Sequence, residues 1–443
     1  MDLNNFNQKI NNIQELISQD FILGKNDLKI KEKKYNSLIY FSILTYLTKG
    51  KQLIFGEPGT GKTTTSEIIK TLFSGMPLEV VLSSELRGHP DLTIEEIVGI
   101  PDLTSFHKGK RKTIWTNFVQ IPEKIIDEIN RIPGGKQNIL LDGIDRNNFS
   151  YNNETIFIPK GCVYATANYS DLGNTQILPP LRDRFDIGVI AKPLGPIGRR
   201  LMVKTKSDSL LKNPNKSKEI INLLNSDLNY EKKSKIISEI GETFKKELEK
   251  RLNIQIPTNQ ELKDFFELIN KYNLPEDDQE DKGTRLFLDY IISEFNFCIQ
   301  GSKQNCHCTE CHYKNYACSL TDNIISNRTS KKINNYFTAI CLLNNDYKIG
   351  LNQHVRPIMP YLIWHKLNYK EESFSTFLTE KKEEYAPLEY HITKKYLEKM
   401  YNRFNKEQLE IADFYKNINN NQSPKIKNDH PIYQIIKNEM LDE

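Results

Sequence analysis

The sequence lacks any apolar run approaching the roughly 18 residues that a membrane-spanning helix needs. Its best, Leu38 to Leu47, is ten residues long and is interrupted by Ser42 and Thr45. The stretch from Met1 to Gln14 is polar and Asn-rich, without the apolar segment and small-residue cleavage site of a secretory signal. A soluble, cytoplasmic protein with no membrane contact is the expectation. A dominant charge of one sign is missing too. The 61 basic and 57 acidic residues leave a net charge of +4, which gives no electrostatic case for nucleic acid as an obligatory partner. Cysteine numbers only seven, and a chain of 443 residues buries ample core without disulfide staples. Four of the seven fall between positions 306 and 318. In a chain with no export signal, such a cluster points to metal binding before disulfides. What the chain does have is 21 Phe and 21 Tyr, enough large apolar groups to argue against global disorder.

The length suggests two to four domains. Residues 1–35 read as a charged helical segment, with Leu3, Phe6, Ile10, Ile13 and Ile17 at helical spacing. Residues 36–48 read as a strongly apolar helix stopped by Lys49-Gly50. Short apolar segments then alternate with helical ones: Gln52–Phe55, Leu78–Leu82, Lys124–Asp127, Val163–Thr166 and Asp186–Ala191. Each is apolar on both parities, the pattern of parallel strands covered on both faces. Strands alternating with helices imply a doubly wound α/β domain with a five-stranded parallel sheet over residues 36–194. It should end at the Pro193–Pro196 punctuation. Residues 195–365 carry little strand signal and read as a helical domain, and residues 366–443 as a helical extension.

Gly56-Glu57-Pro58-Gly59-Thr60-Gly61-Lys62-Thr63 matches the eight-position phosphate-loop pattern completely. It sits directly after an expected strand and directly before a helix opened by Thr64. The glycines let backbone N–H groups turn inward to phosphate oxygens, and the helix N-terminus adds positive potential. Lys62 would reach the β- and γ-phosphates, and the Thr63 hydroxyl would ligate Mg2+. These residues, Gly56 to Thr64, are the candidate ATP-binding segment. Lys124-Ile125-Ile126-Asp127-Glu128 is a short apolar strand ending in two carboxylates, some 65 residues after the loop. Asp127 suits the Mg2+ and Glu128 the attacking water, as general base. A strand Tyr164–Ala167 lying between the other two would place the Asn168 amide beside the γ-phosphate. Arg182 and Arg184 precede the last strand, and an arginine fork suits the charge on a transferring phosphoryl group.

Taken in order, these stretches resemble an AAA+ ATPase of the MoxR group. They are Gly56–Thr63, Asp127-Glu128-Ile129-Asn130-Arg131-Ile132-Pro133 with Gln137, Ala165-Thr166-Ala167-Asn168 and Leu178-Pro179-Pro180-Leu181-Arg182-Asp183-Arg184-Phe185. The resemblance implies that Asp127-Glu128 is the Walker B pair, Asn168 the sensor-1 residue and Arg184 the arginine finger, with Arg182 the lesser candidate. Ser326-Asn327-Arg328 resembles the family's lid tripeptide, with Asn327 in place of proline. It implies Arg328 as sensor 2, with Arg285 behind it. It also implies a β-hairpin at Asn153–Cys162 and an insertion at Glu85–Gln120, both turned toward a central pore. A finger supplied by a neighbouring copy implies a homo-oligomeric ring, hexameric by analogy. Family members of this type remodel protein clients, often with a von Willebrand factor A domain partner. Two features depart from the family: the tail after His365 and the cysteine cluster.

That cluster reads Cys306-His307-Cys308-Thr309-Glu310-Cys311-His312, with Cys318 following. Closely spaced thiolates suit tetrahedral Zn2+, with Cys306, Cys308, Cys311 and Cys318 as ligands and His307 or His312 as substitutes. An iron–sulfur cluster is the alternative. Cys162, Cys298 and Cys341 lie in apolar surroundings and read as core residues. A nucleic-acid motor of McrB or MCM type is the alternative function, with the Lys108–Lys112 run touching phosphates. A nucleotide-switched scaffold is the third reading, and an intact Glu128 and Arg184 argue against it.

Overall fold

The structure, a computed structural model, describes residues 1–21, 25–103, 105, 109, 112–168, 177–202, 205–272, 282–301, 316–322, 325–346, 349–375, 386–419 and 433. The chain divides into two compact units, Met1–Tyr272 with Thr338–Asn345, and Asn273–Phe337 with Asp346–Glu443.

In the first unit, helix α1 (Leu3–Leu16) starts at Asp2, whose carboxylate accepts from the Asn4 and Asn5 amides. It buries Phe6, Ile10, Ile13 and Leu16 on one stripe. The charged segment after it is not helical throughout. Strands β1 (Leu28–Ile30) and β2 (Lys33–Tyr35) form a hairpin turned at Lys31, which adopts φ 53°. Leu28, Ile30 and Tyr35 are buried while the lysines between them face water. Helix α2 (Ser37–Leu47) is capped by Asn36 and buried almost all round, as its continuous apolar sequence demands.

Five strands make the parallel sheet: β3 (Lys51–Phe55), β4 (Glu85–Arg87), β7 (Lys124–Asp127), β10 (Val163–Ala167) and β11 (Ile187–Ile190). Their order is β11-β3-β10-β7-β4, all parallel. The phosphate-loop strand and the acidic strand are thus separated by β10. One expected strand is misplaced. Leu78–Ser83 is helix α4, entered at Pro77, and the strand begins at Glu85. Pro77 caps the run in extended geometry (φ −56°, ψ 149°), where its missing N–H costs nothing, and Leu78, Val80 and Val81 are buried as a helix face rather than a pleat. Glu85–Arg87 is therefore a sheet strand, and the insertion is shorter than expected. It holds helix α5 (Ile94–Ile97), the hairpin of β5 (Gly99–Pro101) with β6 (Thr113–Trp115), and helix α6 (Asn117–Gln120).

Helix α3 (Lys62–Ser74) follows the phosphate loop, and helix α7 (Gly134–Arg146) follows the acidic strand. The core between sheet and helices contains Leu53, Ile126, Ala165, Leu140, Ile144 and Phe185, all at most 2% exposed. Each large apolar side chain so buried contributes about 1.5–3 kcal/mol. A second hairpin, β8 (Asn148–Tyr151) with β9 (Glu154–Phe157), turns at Asn152-Asn153, both at positive φ. Helix α8 (Pro179–Arg184) leads into β11, and α9 (Pro196–Met202), α10 (Pro214–Leu224), α11 (Tyr230–Leu252) and α12 (Asn259–Lys271) complete this unit.

The second unit is helical. It contains α13 (Lys282–Gly301), most of α14 (Asn327–Leu343), α15 (Arg356–Ile363), α16 (Glu371–Ser375) and α17 (Leu388–Asn419). The C-terminal extension is packed into it: Phe404 meets the rings of Phe287 at 5.1 Å and Tyr290 at 5.6 Å. Glu294, buried on α13, pairs with Arg403 of α17 and accepts from the Ala317 amide at 3.1 Å. Burial pushes its carboxyl up to about 7 against the opposing pull of Arg403.

Candidate active site

Strand β3 delivers the chain to Gly56, whose N–H donates to the Ala167 carbonyl of β10 at 3.2 Å. The loop then turns through Gly59 at φ 75° and Gly61 at φ 79°. Gly61 is the residue from which α3 starts, and side chains would strain that left-handed entry. The Lys62 ammonium donates to the Gly56 carbonyl at 2.7 Å, the Glu57 carbonyl at 2.9 Å and Asn168 Oδ1 at 2.8 Å. Burial lowers its pKa, and the nearby carboxylates of Asp127, Glu57 and Glu128 oppose that shift.

The strand order places three strand ends side by side at this loop. Thr63 Oγ1 donates to Asp127 Oδ1 at 2.7 Å. Asn168, just past β10, donates through Nδ2 to Glu128 Oε1 at 2.9 Å, so its amide bridges the lysine and the second carboxylate. Glu128 lies at φ 53°, ψ 50°, a region that costs a non-glycine residue about 1–2 kcal/mol. Several contacts hold it there. Arg131 Nη1 meets Glu128 Oε2 at 3.0 Å, and the Arg131 amide donates to the Glu128 carbonyl at 2.8 Å. The Asn130 amide side chain donates to the Asn168 carbonyl at 3.0 Å. Gln137, fully buried, donates to the Ile132 carbonyl and accepts from the Leu178 amide, tying the acidic strand's exit to the start of α8.

The structure therefore brings together Lys62, Thr63, Asp127, Glu128 and Asn168. Arg184, at the end of α8, points Nε to Asp145 at 3.2 Å and Nη1 to Asp183 at 3.6 Å. Arg328 and Arg285 are exposed residues of α14 and α13 in the second unit. Cys306, Cys308 and Cys311, with His307 and His312, lie outside the described residues. Cys318 is buried in the short turn Ala317–Ser319. Cys162 and Cys341 are buried core residues. Of the Lys108–Lys112 run, Lys108, Lys110 and Arg111 lie outside the described residues, and Lys112 pairs with Asp227. Among the described residues no three His, Cys, Asp or Glu side chains converge as a metal cage. Mg2+ does not need one, because it keeps waters and substrate phosphates as ligands beside one or two protein oxygens. The Thr63 hydroxyl and Asp127 carboxylate, in contact at a helix N-terminus, are a hard-oxygen pair of that kind. Sequence reasoning missed Arg131, although it stands three residues after Glu128, a spacing that closes a single helical turn.

No described helix is long and apolar enough to cross a membrane. Residues 51–185 match the family model of the AAA domain, dynein-related subfamily. A search of curated proteins finds no match. Among solved structures, the chain is similar to a "putative ATPase" from Cytophaga hutchinsonii, with a TM-score of 0.59 and 14% identity over 90% of this chain and 95% of that one. Sheet order, loop geometry and family match agree that residues 51–185 of this chain resemble an AAA domain.

Proposed function

We propose that this protein is an ATPase that converts ATP and water to ADP and phosphate, working as a ring of identical subunits to remodel a protein client. The observation that carries the reading is the junction of Lys62, Asn168 and Glu128 beside the Thr63–Asp127 pair. Lys62 exchanges its loop carbonyls for β- and γ-phosphate oxygens, and Gly56–Thr64 wraps the phosphates with backbone N–H groups. Thr63 and Asp127 would hold Mg2+, whose charge would offset that of the phosphates when it is bound. Glu128 accepts a proton from the attacking water, oriented with help from Asn168. The water oxygen bonds to the γ-phosphorus as the bridging bond breaks, and ADP leaves with the electron pair. Arg184 of one subunit steadies the charge at its neighbour's site, and Arg328 serves as the lid's sensor arginine. The MoxR-like motif order supports a chaperone-like role, with a von Willebrand factor A protein as a suitable partner. The four clustered cysteines support a structural Zn2+ in the helical part.

Two variants test the reading. Lys62→Ala should lose measurable ATP binding. Glu128→Gln should keep it while turnover falls about 10²–10⁴-fold, the range for removing a general base. Normal turnover in Glu128→Gln, or unchanged ATP affinity in Lys62→Ala, would remove the assignment.

A further inference from the structure

The ladder between β10 and β7 runs Val163–Lys124, Tyr164–Ile125 and Ala165–Ile126 and ends there, one step before the two carboxylates. At that step a side chain takes over from the backbone. Thr166 is fully buried. Its Oγ1 donates to Asp127 Oδ1 at 2.6 Å and accepts from the Glu128 amide at 2.9 Å. A hydroxyl has one proton, and with that proton on the carboxylate its lone pairs face the amide. One atom therefore ties the Asp127 carboxylate to the Glu128 backbone. Asp127 Oδ1 also accepts from Thr63, a bond that Thr63 gives up if it turns to a metal. The bond from Thr166 does not depend on that exchange.

We propose that Thr166 is the positioning residue of this site, setting the metal-side carboxylate and the water-side carboxylate in register through a single hydroxyl. The inference rests on the ATPase reading and names a residue that reading does not use. Valine keeps the shape and removes both bonds, whereas serine keeps both bonds and removes a methyl. Partners that orient ligands in this indirect way typically carry about 10–100-fold of activity or metal affinity.

The test is steady-state ATPase activity of Thr166→Val and Thr166→Ser in the full chain, with ATP affinity measured in EDTA and the Mg2+ concentration for half-maximal rate. Thr166→Val should lower kcat about 10–100-fold and raise the Mg2+ requirement, with metal-free ATP affinity within about 3-fold of wild type. Thr166→Ser should restore kcat to within about 3-fold, because it regains both bonds. If the valine chain does not fold, Thr166→Cys, a weak donor of similar size, should show the same loss. A valine kcat within 2-fold of wild type, or a serine variant as slow as valine, would overturn the positioning role alone. A wild-type chain without ATPase activity would instead overturn the ATPase reading and this inference with it.

Discussion

Gly88 follows β4 and donates its N–H to the Asp127 carbonyl at 2.7 Å. A Cβ built on it would stand 2.1 Å from the Glu128 carbonyl oxygen, 2.9 Å from the Glu128 carbonyl carbon and 3.0 Å from Ile132 Cγ1. Ordinary contact between such atoms is at about 3.5 Å, so Gly88→Ala forces a backbone displacement of about 1 Å or more. Glu128 is poorly placed to give way: its amide is held by Thr166, its carbonyl by Arg131 and its carboxylate by Asn168 and Arg131. Overpacking of this kind costs about 1–3 kcal/mol, and a misplacement of about 1 Å at a reacting group costs about 10²-fold in rate. Gly88→Ala should therefore lower Tm by several degrees and kcat by about 10²-fold. ATP affinity should hold, because Lys62 and the phosphate loop hang on β3, two strands away from β7. Differential scanning fluorimetry, a phosphate-release assay and nucleotide titration read the three quantities. A variant with lowered Tm but wild-type kcat would show that β4 yields instead of Glu128, and the argument would fail.

Two further outcomes are expected. Burial raises the carboxyls of Glu67 on α3 and Glu85 on β4; Glu67 pushes Glu85 further, to about 8, with Lys70 opposing, while a hydrogen bond from Glu85 and the charge of Arg87 oppose the rise of Glu67, and Asp127 adds to both and Asp208 to Glu67. A raised carboxyl pKa means that the folded chain holds a proton the unfolded chain releases. Its stability is therefore full below the ordinary value of 4.5 and falls as pH rises toward about 8. Glu85→Gln should flatten Tm between pH 5 and 9, and an unchanged slope would contradict the pairing. Purified protein should carry about one zinc per chain, and a chelator should lower Tm; iron in place of zinc, or no metal, would overturn the ligand set.

The sequence carried the parts of the site whose chemistry demands particular residues at fixed spacing. The phosphate loop, the acidic pair and Asn168 converge as strand order 5-1-4-3-2 requires, and Val163–Ala167 falls between the other two as expected. What hid was local geometry with a weak apolar signal. Glu-Leu-Arg at 85–87 is a sheet strand with one hydrophobic residue, because it lies at the edge and is short. Its apolar neighbour, Leu78–Ser83, took the strand signal although it is a helix following Pro77. The lysine-rich hairpin at 28–35 read as charged helix, yet Leu28, Ile30 and Tyr35 are the residues that decide it. Arg131 and Thr166 stood inside the recognised motifs. Only the structure shows that each touches the second carboxylate's residue.

The contact that Arg184 makes in cis either prepares or restrains it. Its Nε sits on Asp145, a carboxylate that also receives Lys51 Nζ at 3.5 Å, and both Arg184 and Asp145 side chains are about four-fifths buried, at 21% and 22% exposure. Contact through Nε holds the root of the guanidinium and limits its rotamers. Immobilising a long side chain is worth about 0.5–1.5 kcal/mol, which is about 2- to 10-fold in rate when the gain is realised in the transition state. Arg184→Ala removes the charge itself and should cost about 10³-fold, recovering when mixed with Glu128→Gln subunits if the finger acts across an interface. Arg184→Lys should not restore the rate, since an ammonium lacks the planar fork. Asp145→Ala should cost only the 2- to 10-fold of lost ordering, with Asp145→Asn close to wild type because it still accepts the Nε–H bond. An Asp145→Ala chain that turns over faster than wild type would show the contact to be a restraint, and the ordering argument would be wrong.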